Sequence, residues 1–371
     1  MSSHWYKITN ETTIATPAVL LFPDRIQHNI QCMVAIAGGT QRLRPHVKTH
    51  KLPQVVRMQV EAGITRFKCA TLSEANMVAA SGGQDVLVAY PLYGPAVEQL
   101  FRLIKTYPEV LFSTLVDNAR QAQLLENQAQ LLATPLDAFL DLDVGMGRTG
   151  IQPGPEALKL YQHLIKSRWL HPRGLHAYDG HLHLADPEQR TTACTAAFKN
   201  VLELVHLLEN TGVQLEELIC GGTPTLPIHA AYPERTLSPG TVLLWDWGYS
   251  SKFPELAFQH AAVVLTRVIS KPGPNQLCLD LGHKAIASEM APPRVHLLDV
   301  PSYEMIGHSE EHMVVSFAGA DQLSVGDCLY GIPMHICPTM ALHDWVWAVE
   351  EGEAQEKWLV SARTRAVTEP T

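Results

Sequence analysis

No stretch of this chain reaches the roughly 20 consecutive apolar residues that a membrane helix requires. The opening Met1-Ser2-Ser3-His4-Trp5-Tyr6 lacks the charged and apolar regions of a signal peptide. There is no C-x-x-C pair, and the seven cysteines (32, 69, 194, 220, 278, 328, 337) are scattered. An odd, scattered set excludes a fully paired disulfide framework and fits buried thiols in a reducing cytoplasm. Also missing are an internal repeat, a low-complexity tract and a Gly-x-Gly-x-x-Gly opening a helix, which counts against a doubly wound open sheet. Positive charge is in short supply: 28 Lys and Arg against 37 Asp and Glu leave a net charge of −9. That balance excludes a nucleic-acid-coating protein. What remains is a chain of 371 residues, 46% hydrophobic and 18% charged. This is globular composition, enough for one large domain or two ordinary ones.

From about residue 18 to 250, short apolar runs alternate with amphipathic stretches. The runs at 43–48, 66–71, 85–90, 110–117, 137–144, 173–178, 217–221 and 241–246 are strand-like. Helical patterns fall at 52–62, 73–80, 96–106, 118–132, 156–166 and 190–210. Strands alternating with helices at this spacing make a parallel sheet, and eight of them suggest a closed (β/α)₈ TIM-type barrel over 18–250. Beyond 250 the runs 261–269, 276–281, 294–299, 312–317 and 327–336 have Pro and Gly between them and no long helix. They read as a C-terminal all-β domain, completed by residues 1–17.

Catalytic groups of such a barrel sit at the C-terminal ends of its strands. The first strand ends in Arg44-Pro-His-Val-Lys48-Thr-His-Lys51. A lysine crowded by Arg44, His46, His50 and Lys51 is expected to have its pKa pushed down, which makes it a usable nucleophile toward a carbonyl. The fifth strand runs into Asp143-Val-Gly-Met-Gly-Arg148-Thr-Gly150, a tight turn that leaves Arg148 as a fixed cation beside the site. The sixth ends Tyr178-Asp179-Gly180-His181-Leu182-His183, a dense titratable cluster. The seventh ends Gly221-Gly222-Thr223, whose amides and hydroxyl suit a phosphate. In the second domain, His335 and Cys337 stand two apart on an expected strand and so face one way, offering an imidazole and a thiolate to one divalent ion such as zinc. Two protein ligands leave positions open, which is the catalytic style of metal site. Asp280, His283, Glu310, Glu311 and His343 are weaker candidates.

Together these elements resemble the fold-type III pyridoxal-phosphate enzymes, and within them the D-threonine aldolase and D-serine dehydratase-like family. The resemblance rests on RPHVKTHK (44–51), TLSEA (71–75), DVLVAYPLYG (85–94), DVGMGRTG (143–150), AYDG (177–180), GGTPT (221–225), SPGT (238–241), LDLGHK (279–284), SEEH (309–312) and MHICPT (334–339), all in order. It implies an alanine-racemase-like barrel with a β domain, usually as a homodimer. It places the cofactor-bearing lysine at Lys48, and cofactor contacts at Arg148, Tyr178, Gly221, Gly222 and Thr223. The metal (zinc, manganese or cobalt) falls on His335 and Cys337. The His-Ile-Cys pair is the dehydratase form, whereas DVGMGRTG and AYDG look like aldolases.

The expected activity is cleavage of a small D-β-hydroxy amino acid to glycine and an aldehyde. His181 or His183 would remove the hydroxyl proton; spacing does not choose between them. The nearest alternative is β-elimination, as in D-serine or 3-hydroxy-D-aspartate dehydratases. A non-catalytic cofactor carrier would need no metal pair, and a racemase would need a second base that the sequence does not offer.

Overall fold

The computed structural model describes residues 4–367. In chain order the elements begin with β1 (Ala18–Leu21) and α1 (Pro23–Ala37). There follow α2 (Pro53–Glu61), β2 (Arg66–Cys69), α3 (Leu72–Ala80), β3 (Asp85–Val88), α4 (Pro95–Thr106), β4 (Leu111–Val116), α5 (Ala119–Leu131) and β5 (Leu136–Leu142). Next come α6 (Pro155–Lys166), β6 (Leu170–Ala177), α7 (Pro187–Asn210), β7 (Glu217–Cys220), α8 (Leu226–Ala230) and β8 (Arg235–Leu237). By contacts the chain divides into a unit of residues 33–48 and 53–240 and a unit that takes residues up to 32, 49–52 and 241–363. The division differs from boundaries at 18 and 250, because β1 pairs with strands of the second unit and not with the barrel.

In the first unit, β2 to β8 form one sheet in sequential order, every neighbouring pair parallel. Segment 43–47 closes it. Leu43 bridges Leu237 on one side and His46 bridges Lys68 on the other, with Arg44 and Lys68 amides donating to the Leu237 and Pro45 carbonyls. Pro45 lacks a donor, so this first barrel strand survives only as isolated bridges. The eighth strand is Arg235–Leu237, not the apolar run at 241–246, which holds a 3₁₀ turn at Thr241–Leu243. Local signals explain the helix starts. The Thr71 hydroxyl accepts from the Glu74 amide while the Glu74 carboxylate accepts from Ala70, and Asn118 accepts from Gln121.

The barrel interior is layered. Arg66, Asp85 and Glu217 open β2, β3 and β7, and Arg44 lies between the last two. Its guanidinium forks onto Asp85 at 2.9 and 2.9 Å and onto Glu217 at 3.1 and 2.7 Å. Arg173 and Arg66 add further pairs to the same carboxylates. Above this ionic floor, two residues on along the strands, Leu87, Leu115, Phe139 and Ile219 make an apolar layer. The titratable groups that follow are described below.

The second unit carries a mixed sheet of nine strands. Along its path run β12 (Glu304–His308), β13 (Met313–Ser316), β10 (Gln276–Leu279), β9 (Ala262–Ser270), β1, β15 (Trp345–Glu350) and β16 (Glu353–Leu359). β11 (Val295–Leu297) and β14 (Cys328–Pro333) join through β9. Two short helices, α9 (Trp247–Lys252) and α10 (Ile336–Leu342), belong to it, as does α1 up to Cys32. Within this unit His50 is fully buried, its Nδ1 accepting from the Leu52 amide, and burial pushes its pKa down to about 3. An unfolded histidine titrates near 6.5, so below that pH the unfolded chain takes up a proton that folded His50 refuses. Stability is therefore fully present above about 6.5 and falls by about 1.4 kcal/mol per pH unit toward 3 from this group. His50→Gln should flatten the urea-midpoint profile between pH 6.5 and 4; an unchanged slope would assign the acid sensitivity to other groups.

Candidate active site

At the C-terminal end of the barrel, three cations face one aromatic ring. Lys48 Nζ, Lys68 Nζ and the Arg148 guanidinium lie 5.7, 5.4 and 5.0 Å from the centre of the Tyr178 ring. The surroundings expected for Lys48 are different in the structure. Arg44 is committed to the ionic floor, His50 is buried elsewhere, and Lys51 Nζ reaches the Ala362 carbonyl. The near cation is Lys68, which sequence reasoning missed. Its signal was a lysine two residues after Arg66 on one strand, hence on the same inward face.

Lys68 is the start of a relay. Its amine lies 3.4 Å from His176 Nε2, His176 Nδ1 lies 2.7 Å from Asp141 Oδ1, and the Thr149 hydroxyl donates to Asp141 Oδ2 at 2.9 Å. Burial, then the neighbouring Lys48 charge, lowers the Lys68 pKa to about 7. Burial and Lys68 together lower that of His176. A neutral His176 with its Nδ1–H on Asp141 leaves Nε2 to accept from Lys68.

Around the ring the backbone comes close. A Cβ at Gly180 would stand 2.3 Å from the Tyr178 hydroxyl, and one at Gly222 would stand 3.2 Å from its ring. The turn after β5 is tied by the Asp143 carboxylate, which accepts from the Gly145 and Gly147 amides at 2.9 and 3.0 Å. Gly145 has φ +115°, and a Cβ there would meet His181 Nε2 at 2.9 Å. His181 is half-buried, with a buried Nδ1 that has no hydrogen-bond partner in the protein; His183 is exposed. A cleft of about 790 Å³ opens beside Lys48, lined by His46, Ala70, Tyr90, Tyr93, Arg148 and Thr149.

The glycine loop after β7 is held by hydrogen bonds of its own. The Gly221 and Gly222 amides are already engaged, with the Ala177 carbonyl and the Thr225 hydroxyl. A Cβ at Gly221 would stand 2.5 Å from the His229 ring. Beneath this loop lies a buried group that the sequence did not reveal. The Thr225 hydroxyl and His229 Nε2–H donate to Asp179 at 2.9 and 2.8 Å, and Arg235 donates to His229 Nδ1 at 2.9 Å. Asp179, Cys194 and His229 form the one three-residue cluster among the described residues that could hold a metal ion. Both nitrogens of His229 are committed, Arg235 is a cation beside it, and burial with Asp179 pushes the Cys194 thiol up to about 12. The cluster is therefore a hydrogen-bonded support for the loop.

In the second unit, His335 and Cys337 are brought together, but not on a strand. β14 ends at Pro333, His335 precedes α10, and Cys337 lies in its first turn, where Pro338 is tolerated. The buried Asp246 carboxylate holds this turn by accepting from the Ile336 amide at 3.0 Å. His335 Nδ1 is hydrogen-bonded to Glu289 at 2.5 Å, and Cys337 Sγ lies 3.2 Å from the Thr49 hydroxyl. Burial works against the imidazolium, but hydrogen bonds to Cys337 and Glu289 outweigh it and raise His335 to about 9. An imidazole backed by a carboxylate, with a thiolate beside it, is a donor set suited to a soft divalent ion. The weaker candidates are structural. Asp280 binds the Thr16 and Thr266 hydroxyls, Glu310 and Glu311 pair with Lys284, and His343 bonds the Ala285 carbonyl.

The alanine racemase N-terminal domain matches residues 23–246, and a putative serine dehydratase domain matches 261–349. The chain is 30% identical to D-threonine aldolase of an Arthrobacter species, over 94% of this chain and 93% of that one. This chain belongs to the D-threonine aldolase and D-serine dehydratase-like family of pyridoxal-phosphate lyases. A 3-hydroxy-D-aspartate aldolase of Paracoccus denitrificans (strain Pd 1222) is 31% identical over 95% of this chain and 93% of its own. The solved D-threonine aldolase of Filomicrobium marinum superimposes with a TM-score of 0.89 at 27% identity, covering 96% of this chain and 98% of that one. A dehydratase member, D-threo-3-hydroxyaspartate dehydratase of Delftia sp. HT23, shares the fold with a TM-score of 0.82 at 22% identity, covering 94% and 98%. No helix among the described residues is long and apolar enough to cross a membrane.

Proposed function

We propose that the protein is a D-threonine aldolase-like lyase, dependent on pyridoxal phosphate and a divalent metal, that cleaves small D-β-hydroxy amino acids to glycine and an aldehyde. The single observation that carries this reading is the roughly 30% identity to aldolases across nearly the whole chain, against 22–23% for the dehydratases. The residues fit the cofactor. Lys48 offers an amine for its aldehyde, Arg148 a cation for its phenolic oxygen, Tyr178 a ring side and Thr223 donors for its phosphate. Gly180 and Gly222 keep that space clear of Cβ atoms. When bound, pyridoxal phosphate supplies an electron sink for the pair released at the substrate Cα. A divalent ion on His335 and Cys337 would supply a Lewis acid for the β-hydroxyl.

The protein's own part is proton handling and positioning. His181, half-buried with an uncommitted Nδ1, is the base for the hydroxyl proton in this reading; exposed His183 is not. Arg148 orients anionic groups, and the Asp143-tied turn keeps it and His181 in place. His181→Asn should lower kcat by about 10²- to 10⁴-fold, the usual worth of a positioned base, and His183→Asn by only a few-fold. The reverse pattern would move the base to His183.

One observation favours the dehydratase reading: a thiolate stands at the metal pair. Product assays separate the two. With D-threonine and 3-hydroxy-D-aspartate the aldolase gives glycine and an aldehyde, whereas a dehydratase gives a 2-oxo acid and ammonia, as it would from D-serine. Oxo acid without aldehyde would reject the proposal, and removal of metal with a chelator should stop turnover. We further assign the protein to the cytoplasm, where thiols stay reduced; no disulfide links the described cysteines. A homodimer, which light scattering would find near twice 41.0 kDa, follows from the family resemblance.

A further inference from the structure

We infer that Lys68 is a positioning residue for Lys48: a second, buried amine that shares the Tyr178 ring with it and sets the proton balance of its amine. The inference rests on the assignment of Lys48 as the cofactor-bearing lysine. A buried lysine is costly unless its amine has a partner, and Lys68, 2% exposed, has His176 Nε2 at 3.4 Å. That acceptor cannot turn away. Its ring is pinned through Nδ1 to Asp141, and Asp141 is pinned in turn by Thr149. Lys68 therefore keeps one N–H on His176 whether it carries two protons or three. It is an amine that can change its charge without losing its anchor.

The groups facing it come from every neighbouring segment. Lys48 follows the first barrel strand, Asp141 is on β5, Arg148 lies in the turn after it, His176 is on β6, and Asp179 follows Tyr178. Two cations and two carboxylates leave its charge finely balanced, and burial brings its pKa to about 7. Buried, and 5.4 Å from the centre of the Tyr178 ring, Lys68 acts on Lys48, which faces the same ring at 5.7 Å. A cation beside Lys48 disfavours a second positive charge there; a neutral amine does not.

The test is a pH titration of the visible absorption band of the enzyme as purified with its cofactor. It compares the native chain with K68M, K68R and K68Q. K68R keeps the charge at all pH values, K68M removes charge and donor, and K68Q removes the charge but keeps an N–H for His176. The midpoint should be lowest for K68R, with K68M and K68Q above it by about one pH unit or more, a tenfold change in proton affinity. A merely structural lysine would be rescued by glutamine and would leave K68Q at the native midpoint with K68M alone displaced. That pattern, or coincident midpoints for K68R and K68Q, overturns the inference. Because K68Q retains the anchor, it decides the matter if K68M does not fold. Borohydride reduction followed by peptide mapping runs alongside. An adduct on a residue other than Lys48 defeats the functional reading itself, whereas an adduct on Lys48 with coincident midpoints defeats only the role of Lys68.

Discussion

Lys48→Ala is expected to cut turnover on the order of 10⁴-fold or more, the scale seen when a covalent nucleophile is removed. It should also give a preparation without the visible colour of bound cofactor. Lys48 sits at the end of the segment that closes the barrel, half-buried, and lines the cleft of about 790 Å³. Its backbone amide donates to His46 Nδ1 at 3.3 Å, which fixes the turn that carries it. Its amine faces the Tyr178 ring together with the Arg148 guanidinium. The sharpest rival is Lys68, since it faces the same ring and is the more deeply buried of the two. A coloured Lys48→Ala protein whose reduced adduct maps to Lys68 would exchange their roles. A colourless one with intact far-ultraviolet circular dichroism would leave Lys48 as the carrier.

Arg44→Met should lower the free energy of unfolding by about 3–5 kcal/mol, read from urea midpoints, although Arg44 touches no proposed catalytic group. Removing one partner of a buried ion pair strands the other in low dielectric. Here it strands two, because each fork of the guanidinium holds a carboxylate at the foot of the barrel. Desolvation alone would raise the Asp85 pKa, but Arg44 and Arg173 hold it at about 2. This carboxylate therefore stabilises the fold above the ordinary aspartate range, and its contribution is lost as pH falls from about 4 toward 2. Arg44→Lys should recover little, since one ammonium cannot make two planar forks. A cost below about 1 kcal/mol would mean that Arg66 and Arg173 already neutralise both acids.

The sequence made much of this architecture legible. Six helices and six barrel strands fall where periodicity places them, because their apolar stripes and caps agree. The misreadings have local causes. Arg235–Leu237 is three residues between Pro233 and Pro239, too short to register, while Thr-Val-Leu-Leu nearby has strand composition but caps α9 through Asp246. The same carboxylate turns 335–337 into a helix start, a long-range effect that no spacing rule carries. β12, β15 and β16 were not expected; in β16 the exposed Glu353, Gln355, Glu356 and Lys357 leave little apolar signal. At the site, Lys48, Arg148 and Tyr178 were readable as strand-end residues. Lys68, His176 and Asp141 were not, because each looks ordinary alone and only the closing of the sheet gathers them.

β1 also bears on how the chain is made. Its antiparallel partner, from Ala262 to Leu265, leaves the ribosome roughly 240 residues after it. At about 5–20 residues per second that is a delay of tens of seconds. For that time a fully apolar tetrapeptide, Ala18–Leu21, has no ladder to join. Nascent chains arrested before residue 262 should thus carry a folded barrel and a sticky leader. Any chaperone acting on this protein during translation would find its handle there.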